Sequence, residues 1–255
     1  MTRPLIGTSW KMNLTSVEAE RWFATVVPGV ERLDDRDLFV LPPFTSLWVA
    51  RDCLTGSAIA WGAQDVHPDD GGAHTGDVSA PMLADLGCRY VEVGHSERRR
   101  DHGETPALIA AKVAAVLRWG MDVILCTGEL EPGPFETVAD GLRLDLERCL
   151  AGVRAADLGR VVVAYEPAWA IGEGAFAASP EHVGRIQRDL AAWLSERSGG
   201  SPVRVLYGGS VEEAAAADLL AESGVDGLFI GRNALDAERF VRIARTPSQH
   251  DDPTP

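Results

Sequence analysis

Val161-Val162-Val163-Ala164-Tyr165-Glu166-Pro167 is an unbroken apolar run closed by a carboxylate and a proline. Without an alternating polar face, such a run reads as a strand buried on both sides, the habit of parallel sheets covered by helices. Similar runs recur at 5–8, 38–41, 58–61, 90–93, 123–126, 203–207 and 227–230. Helix signals lie between them. Ser179-Pro180-Glu181 supplies an N-cap, a proline at the first helical position and an acid in the first turn. The spacing of Val183, Ile186, Leu190, Trp193 and Leu194 predicts one buried stripe to about Arg197, where Gly199-Gly200 ends the helix. Thr105-Pro106 and Ser79-Ala80-Pro81 open two more helices, and the capping-box spacing of Ser210-Val211-Glu212-Glu213 predicts another directly after it. Eight strands alternating with helices, in 255 residues without a linker, fit a (β/α)8 barrel. Pattern alone leaves an open doubly wound sheet standing, although no G-x-G-x-x-G follows the first strand and no G-x-x-x-x-G-K-[ST] occurs. The expectation is one domain over residues 1–246 and an unstructured tail over 247–255, which has no apolar residue able to dock.

Composition narrows the function classes. A formal net charge of −14 disfavours phosphate backbones and anionic lipid, so nucleic acid and membrane are not expected partners. No apolar run approaches the ~18 residues of a membrane span, and the N-terminus lacks the core of a signal peptide, so the expectation is a soluble, cytoplasmic protein. Cys53, Cys88, Cys126 and Cys149 are scattered, without metal-ligand spacing, and read as free thiols, with neither a disulfide framework nor a metal site. Cys126, at a strand end, reads as a buried apolar thiol.

In a barrel the residues that follow each strand gather at one mouth. Lys11 follows strand one, Gln64 strand three, His95 strand four and Glu166 strand six. Each alone has a structural reading: a solvated lysine, a hydrogen-bonded histidine, a helix-capping glutamate. Converging, they offer a base, an acid and a cation around one point. Gly208-Gly209-Ser210 and Gly231, after strands seven and eight, permit close backbone approach and match the phosphate site common there. The apolar loop from Pro167 to Ala177 reads as a lid, hinged near 167–169 and 174–176.

Trp-Lys-Met-Asn (10–13), Gly-Ala-Gln (62–64), Gly-His-Ser-Glu-Arg-Arg (94–99), Ala-Tyr-Glu-Pro-Ala-Trp-Ala-Ile-Gly (164–172) and Tyr-Gly-Gly-Ser-Val (207–211) resemble the motifs of the triosephosphate isomerase family, in its order and over most of the chain. The resemblance implies a (β/α)8 barrel that isomerises a phosphorylated sugar without metal or organic cofactor. It implies Glu166 as the base on carbon and His95 as a neutral electrophile at a helix start, as is known for this family. Lys11 would stabilise the enediolate with Glu97 orienting it, and Gly172, Ser210, Gly231 and Arg232 would offer backbone N–H groups to the phosphate. A homodimer is implied too, the loop around Gly72-Ala73-His74-Thr75-Gly76 inserting into the partner with Thr75 supporting the neighbouring site.

The chain departs from the family at several positions. Ser9 stands for the asparagine before Trp-Lys, Gly172-Glu173-Gly174-Ala175 for Gly-Thr-Gly-Lys, Gly231-Arg232-Asn233-Ala234 for Gly-Gly-Ala-Ser, and Asp65 for the asparagine after the glutamine. Thr-Ser-Trp-Lys-Met-Asn, Gly-Glu-Gly and Phe-Ile-Gly-Arg together resemble a side branch containing tetrulose-phosphate isomerases. The expected substrate is therefore L-erythrulose 1-phosphate, interconverted with D-erythrulose 4-phosphate, and Ser9 leaves room for the extra carbon. The alternatives are a plain triosephosphate isomerase and a barrel that binds a sugar phosphate without turning it over. An aldolase is disfavoured because Lys11 and Lys112 are the only lysines and Lys112 falls in a predicted helix. Arg232 is expected at the rim of the site, within reach of phosphate or of Glu173.

Overall fold

A computed structural model of the chain describes residues 3–171 and 177–247. Eight parallel strands close in sequence order, β1 pairing with both β2 and β8. They are β1 (Leu5–Ser9), β2 (Asp37–Leu41), β3 (Ile59–Ala63), β4 (Tyr90–Val93), β5 (Asp122–Thr127), β6 (Val161–Tyr165), β7 (Val205–Tyr207) and β8 (Gly227–Ile230). Around them run α1 (Ser16–Val30), α2 (Leu47–Leu54), α3 (Ala80–Asp85), α4 (Ser96–Asp101), α5 (Pro106–Arg118), α6 (Phe135–Cys149), α7 (Pro180–Arg197), α8 (Ala216–Ala221) and α9 (Ala237–Ala244). The architecture is a (β/α)8 barrel, which removes the open sheet.

Alternation along the strands divides the core in two. Leu5, Phe39, Leu41, Tyr90, Ile124, Cys126, Val162, Ala164, Leu206 and Phe229 fill the barrel's interior. Their neighbours, such as Ile6, Val40, Val91 and Val163, face the helices. Phe39 packs on Tyr90 and Phe229 at centroid distances of 5.3 and 5.4 Å, an aromatic plug across the barrel. Gly7 makes room for it: a Cβ there would lie 2.2 Å from the Phe39 ring.

Local signals mostly act as expected. Ser179 accepts from the N–H of His182 to cap α7, and Thr105 accepts from Leu108 to cap α5. Ser210 does not cap a helix. Its N–H donates to the Ala170 carbonyl at 3.1 Å, the chain runs extended through Glu212, and α8 begins only after a turn of 3-10 helix at Glu213–Ala215. A tertiary bond between two barrel loops thus displaces the local capping box. Among the described residues no helix is long and apolar enough to cross a membrane. The expected tail, apart from Pro247, lies outside the described residues, as do Gly172 and the lid's second hinge up to Phe176.

Candidate active site

The strand ends deliver Ser9, Lys11, His95, Glu97, Glu166, Ser210, Gly231 and Arg232 to one cavity of about 500 Å³. Lys11 follows β1 with a left-handed backbone, φ 53°, which an L side chain adopts only at a cost. Gln64 holds that conformation, its amide nitrogen donating to the carbonyls of Lys11 and Leu41 at 3.1 and 2.9 Å. The ammonium then reaches across the mouth and donates to Glu97 Oε1 at 2.7 Å. Burial pushes the Glu97 carboxyl up, but the hydrogen bond and charge of Lys11 outweigh it and hold the group below the ordinary carboxylate range.

His95 caps α4. The N–H of Glu97 donates to its Nδ1 at 3.1 Å, so Nδ1 carries no proton and a neutral ring must carry it on Nε2. Burial, followed by the charge of Lys11, lowers its pKa to about 4, which keeps the ring neutral near pH 7. Nε2 lies 3.5 Å from Glu166 Oε2.

Glu166 sits at the end of β6, 5% exposed. Gly208 makes its position possible, since a Cβ there would fall 2.7 Å from Glu166 Cγ. Burial, with the nearby charge of Glu92, pushes its pKa up to about 8. A carboxyl so poised is a stronger proton acceptor, once ionised, than an exposed one. Beyond it, Trp169 Nε1 and the Tyr165 hydroxyl both donate to Glu129 Oε1, at 2.7 and 3.0 Å, pinning the start of the following loop. Neither the sequence pattern nor the motifs singled out Glu129.

Beside Glu166, Gly208-Gly209-Ser210 line the same cavity, as does Gly231 after β8. The Ser210 amide is already bonded to Ala170, so an anion there must displace a loop carbonyl. Asn233 bridges the two turns, donating to the Val211 carbonyl at 2.7 Å and accepting from Arg239 at 2.8 Å. Arg232 is exposed at the rim, and Glu173 lies outside the described residues.

Asp65 has a structural explanation: it joins Lys112, Arg98 and Glu104 in an ion network, with Lys112 Nζ 2.6 and 2.5 Å from the two carboxylates. Lys112 thereby lies 4% exposed in α5, spoken for by two acids. The Arg98-Arg99-Arg100 run is likewise consumed internally, Arg99 by Asp145 and Arg100 by Asp101.

Cys126 is the buried free thiol expected, set in the apolar barrel interior, but with carboxylates beside it. Its Sγ donates to Glu92 Oε1 at 3.7 Å, and burial, with the charges of Glu166 and Glu92, raises its pKa well above 9. Glu92 lies within the apolar run 90–93 that reads as a strand. It points inward, lines the cavity, and accepts from Ser9 Oγ at 2.7 Å. Polar atoms of Glu92, Cys126 and Glu166 lie within 4.8 Å of one another, a spacing that could converge on a cation. The same burial favours the protonated forms of all three, against the deprotonated ligands a metal requires.

The family model for triosephosphate isomerase matches residues 4–246. The triosephosphate isomerase of Thermus thermophilus is 45% identical over 252 residues, covering 96% of this chain and 99% of that protein. That of Mycobacterium bovis is 44% identical over 253 residues, covering 95% of each. The crystal structure of triosephosphate isomerase from Bartonella henselae superposes with a TM-score of 0.83 at 34% identity, covering 95% of this chain and 98% of that one. The fold, the converged strand-end residues and these relatives agree: the chain belongs to the triosephosphate isomerase family and is an isomerase of its intramolecular-oxidoreductase kind.

Proposed function

We propose that the chain interconverts dihydroxyacetone phosphate and D-glyceraldehyde 3-phosphate through an enediolate, using no cofactor. The observation that carries this reading is the convergence of Lys11, His95 and Glu166 on one cavity, with the His95 tautomer fixed by the Glu97 amide. The curated relatives are named for that reaction. Glu166 takes the proton from the carbon beside the carbonyl. His95 Nε2–H donates to the carbonyl oxygen, and the charge that develops there is stabilised by the Lys11 ammonium, which Glu97 orients. The hydroxyl proton passes by way of His95 to the former carbonyl oxygen and Glu166 returns a proton to the neighbouring carbon, which completes an isomerisation in which electrons only redistribute within the substrate. Gly172, Ser210, Gly231 and Arg232 hold the phosphate, and the loop after Glu166 closes over it to keep water from the enediolate.

A second reading replaces the triose with L-erythrulose 1-phosphate, converted to D-erythrulose 4-phosphate. One observation favours it: the short Ser9 lines the cavity wall beside the reacting groups, where the family carries asparagine. The same base and enediolate serve both substrates. Steady-state kcat/KM on each decides between them, and turnover of neither overturns both. The chain acts in the cytoplasm as a homodimer, the exposed loop carrying Thr75 inserting into a second copy. Sedimentation at twice the chain mass supports that assembly; sedimentation at the chain mass refutes it.

A further inference from the structure

Glu92 is a buried acid for which the isomerisation above has no task. It is 2% exposed, and at its level lie Ile124 in the adjacent β5 and, one strand further, Val162 in β6, both apolar. Among the described residues no lysine, arginine or histidine lies within 4.0 Å of it, so it is not half of an ion pair. Burying a carboxylate without one is costly, and an aliphatic side chain in its place would be cheaper for the fold. Its partners are Ser9 Oγ at 2.7 Å and the Cys126 thiol at 3.7 Å. Both Ser9 and Glu92 open onto the cavity that holds Lys11, His95 and Glu166. Glu92 lies within β4, three residues before His95, which follows the end of that strand, so it sits deeper in the barrel than His95.

We propose that Ser9 and Glu92 form a hydroxyl-binding subsite at the deep end of the cavity. It takes a hydroxymethyl group carried on the carbon from which Glu166 removes the proton. The proposal rests on the isomerase reading and concerns which substrate that site prefers. Ser9 leaves space, and the pair supplies both hydrogen-bond roles: the substrate hydroxyl donates to Glu92 and accepts from Ser9 Oγ. The single Ser9–Glu92 bond is thereby exchanged for two. When a three-carbon substrate binds, the two side chains satisfy one another and no polar group is orphaned. Discrimination is then about 10- to 100-fold, below the 10⁴ or more reached where a missing hydroxyl strands its partner.

The test measures kcat/KM on L-erythrulose 1-phosphate and on dihydroxyacetone phosphate for wild type, Ser9→Asn, Glu92→Val and Glu92→Gln. Both rates come from one preparation, so incomplete folding lowers each and leaves their ratio intact. The tetrulose-to-triose ratio should fall at least tenfold in Ser9→Asn, which fills the space, and in Glu92→Val, which removes the acceptor. Glu92→Gln, which keeps an acceptor oxygen, should retain more of the ratio than Glu92→Val. Ratios within threefold of wild type in both Ser9→Asn and Glu92→Val overturn the subsite and leave the isomerase reading intact, as does a wild type active on the triose alone. A wild type inactive on both substrates overturns the isomerase reading itself.

Discussion

Replacing Glu92 by glutamine should change how stability depends on pH. Burial is the largest influence on the Glu92 carboxyl and raises its pKa from 4.5 to about 7, against the opposing hydrogen bond from Ser9. An acid with a raised folded-state pKa binds its proton more tightly when folded, so the wild type loses stability as pH climbs from 4.5 through 7. At about 1.4 kcal/mol per pH unit, the full span is worth about 3 kcal/mol. The amide of Glu92→Gln does not titrate. The variant should therefore gain on the wild type by about 2–3 kcal/mol between pH 5 and pH 8, where most of that span is covered. His95, whose pKa is lowered to about 4, acts with the opposite sign between its folded and ordinary values, but it is present in both proteins. Glu166 adds to the difference, because the charge of Glu92 is among the causes raising it. Thermal melts at fixed protein concentration would read the effect as a gap in Tm that widens by roughly 5–10 °C from pH 5 to pH 8. A gap that stays constant across that range would mean that the Glu92 carboxyl ionises in the fold as readily as in the unfolded chain, and the electrostatic account of the cavity would be wrong.

Three further outcomes follow from the same geometry. The acid limb of kcat/KM should fall below about pH 8, where burial and Glu92 have set the Glu166 carboxyl, and should move to lower pH in Glu92→Gln; an unmoved limb refutes the coupling. Gly208→Ala would drive a methyl to 2.7 Å from Glu166 Cγ. It should cost about 1–3 kcal/mol of stability and lower kcat about 100-fold, far more than it changes KM; a full-rate variant would refute the tight fit. Gln64→Ala removes both bonds that hold the left-handed Lys11 backbone, and kcat/KM should drop about tenfold with the Lys11–Glu97 pair still chemically present. Unchanged kinetics would mean that Lys11 holds its conformation unaided.

Much of the fold is legible because barrel strands announce themselves as apolar runs: 90–93, 161–165 and 227–230 match β4, β6 and β8 residue for residue. Ser179-Pro180 and Thr105-Pro106 mark α7 and α5 because their caps depend only on local chemistry. Ser210 misleads for the complementary reason. Its amide is claimed by Ala170, in the loop after a different strand, which no local spacing reveals. The strand-end residues of the site are legible once the barrel is assumed, since topology brings them to one cavity. Glu92 is not, because strands buried on both faces carry no visible alternation. The available signal was an acid between two valines, with Tyr90 two residues before it sharing its face. Cys126 is subtler still: a thiol in an apolar run gives no hint that two carboxylates lie beside it.

The claim on which the account turns is that Glu166 abstracts a carbon-bound proton. Incubating the protein with dihydroxyacetone phosphate in heavy water and following the hydroxymethyl protons by NMR tests it directly. The account predicts deuterium entering that carbon alongside formation of D-glyceraldehyde 3-phosphate. In Glu166→Asp, which withdraws the carboxylate by about 1 Å, both should slow by about 100-fold or more. Exchange that proceeds equally fast in Glu166→Asp, or product formed with no exchange in either protein, would contradict it.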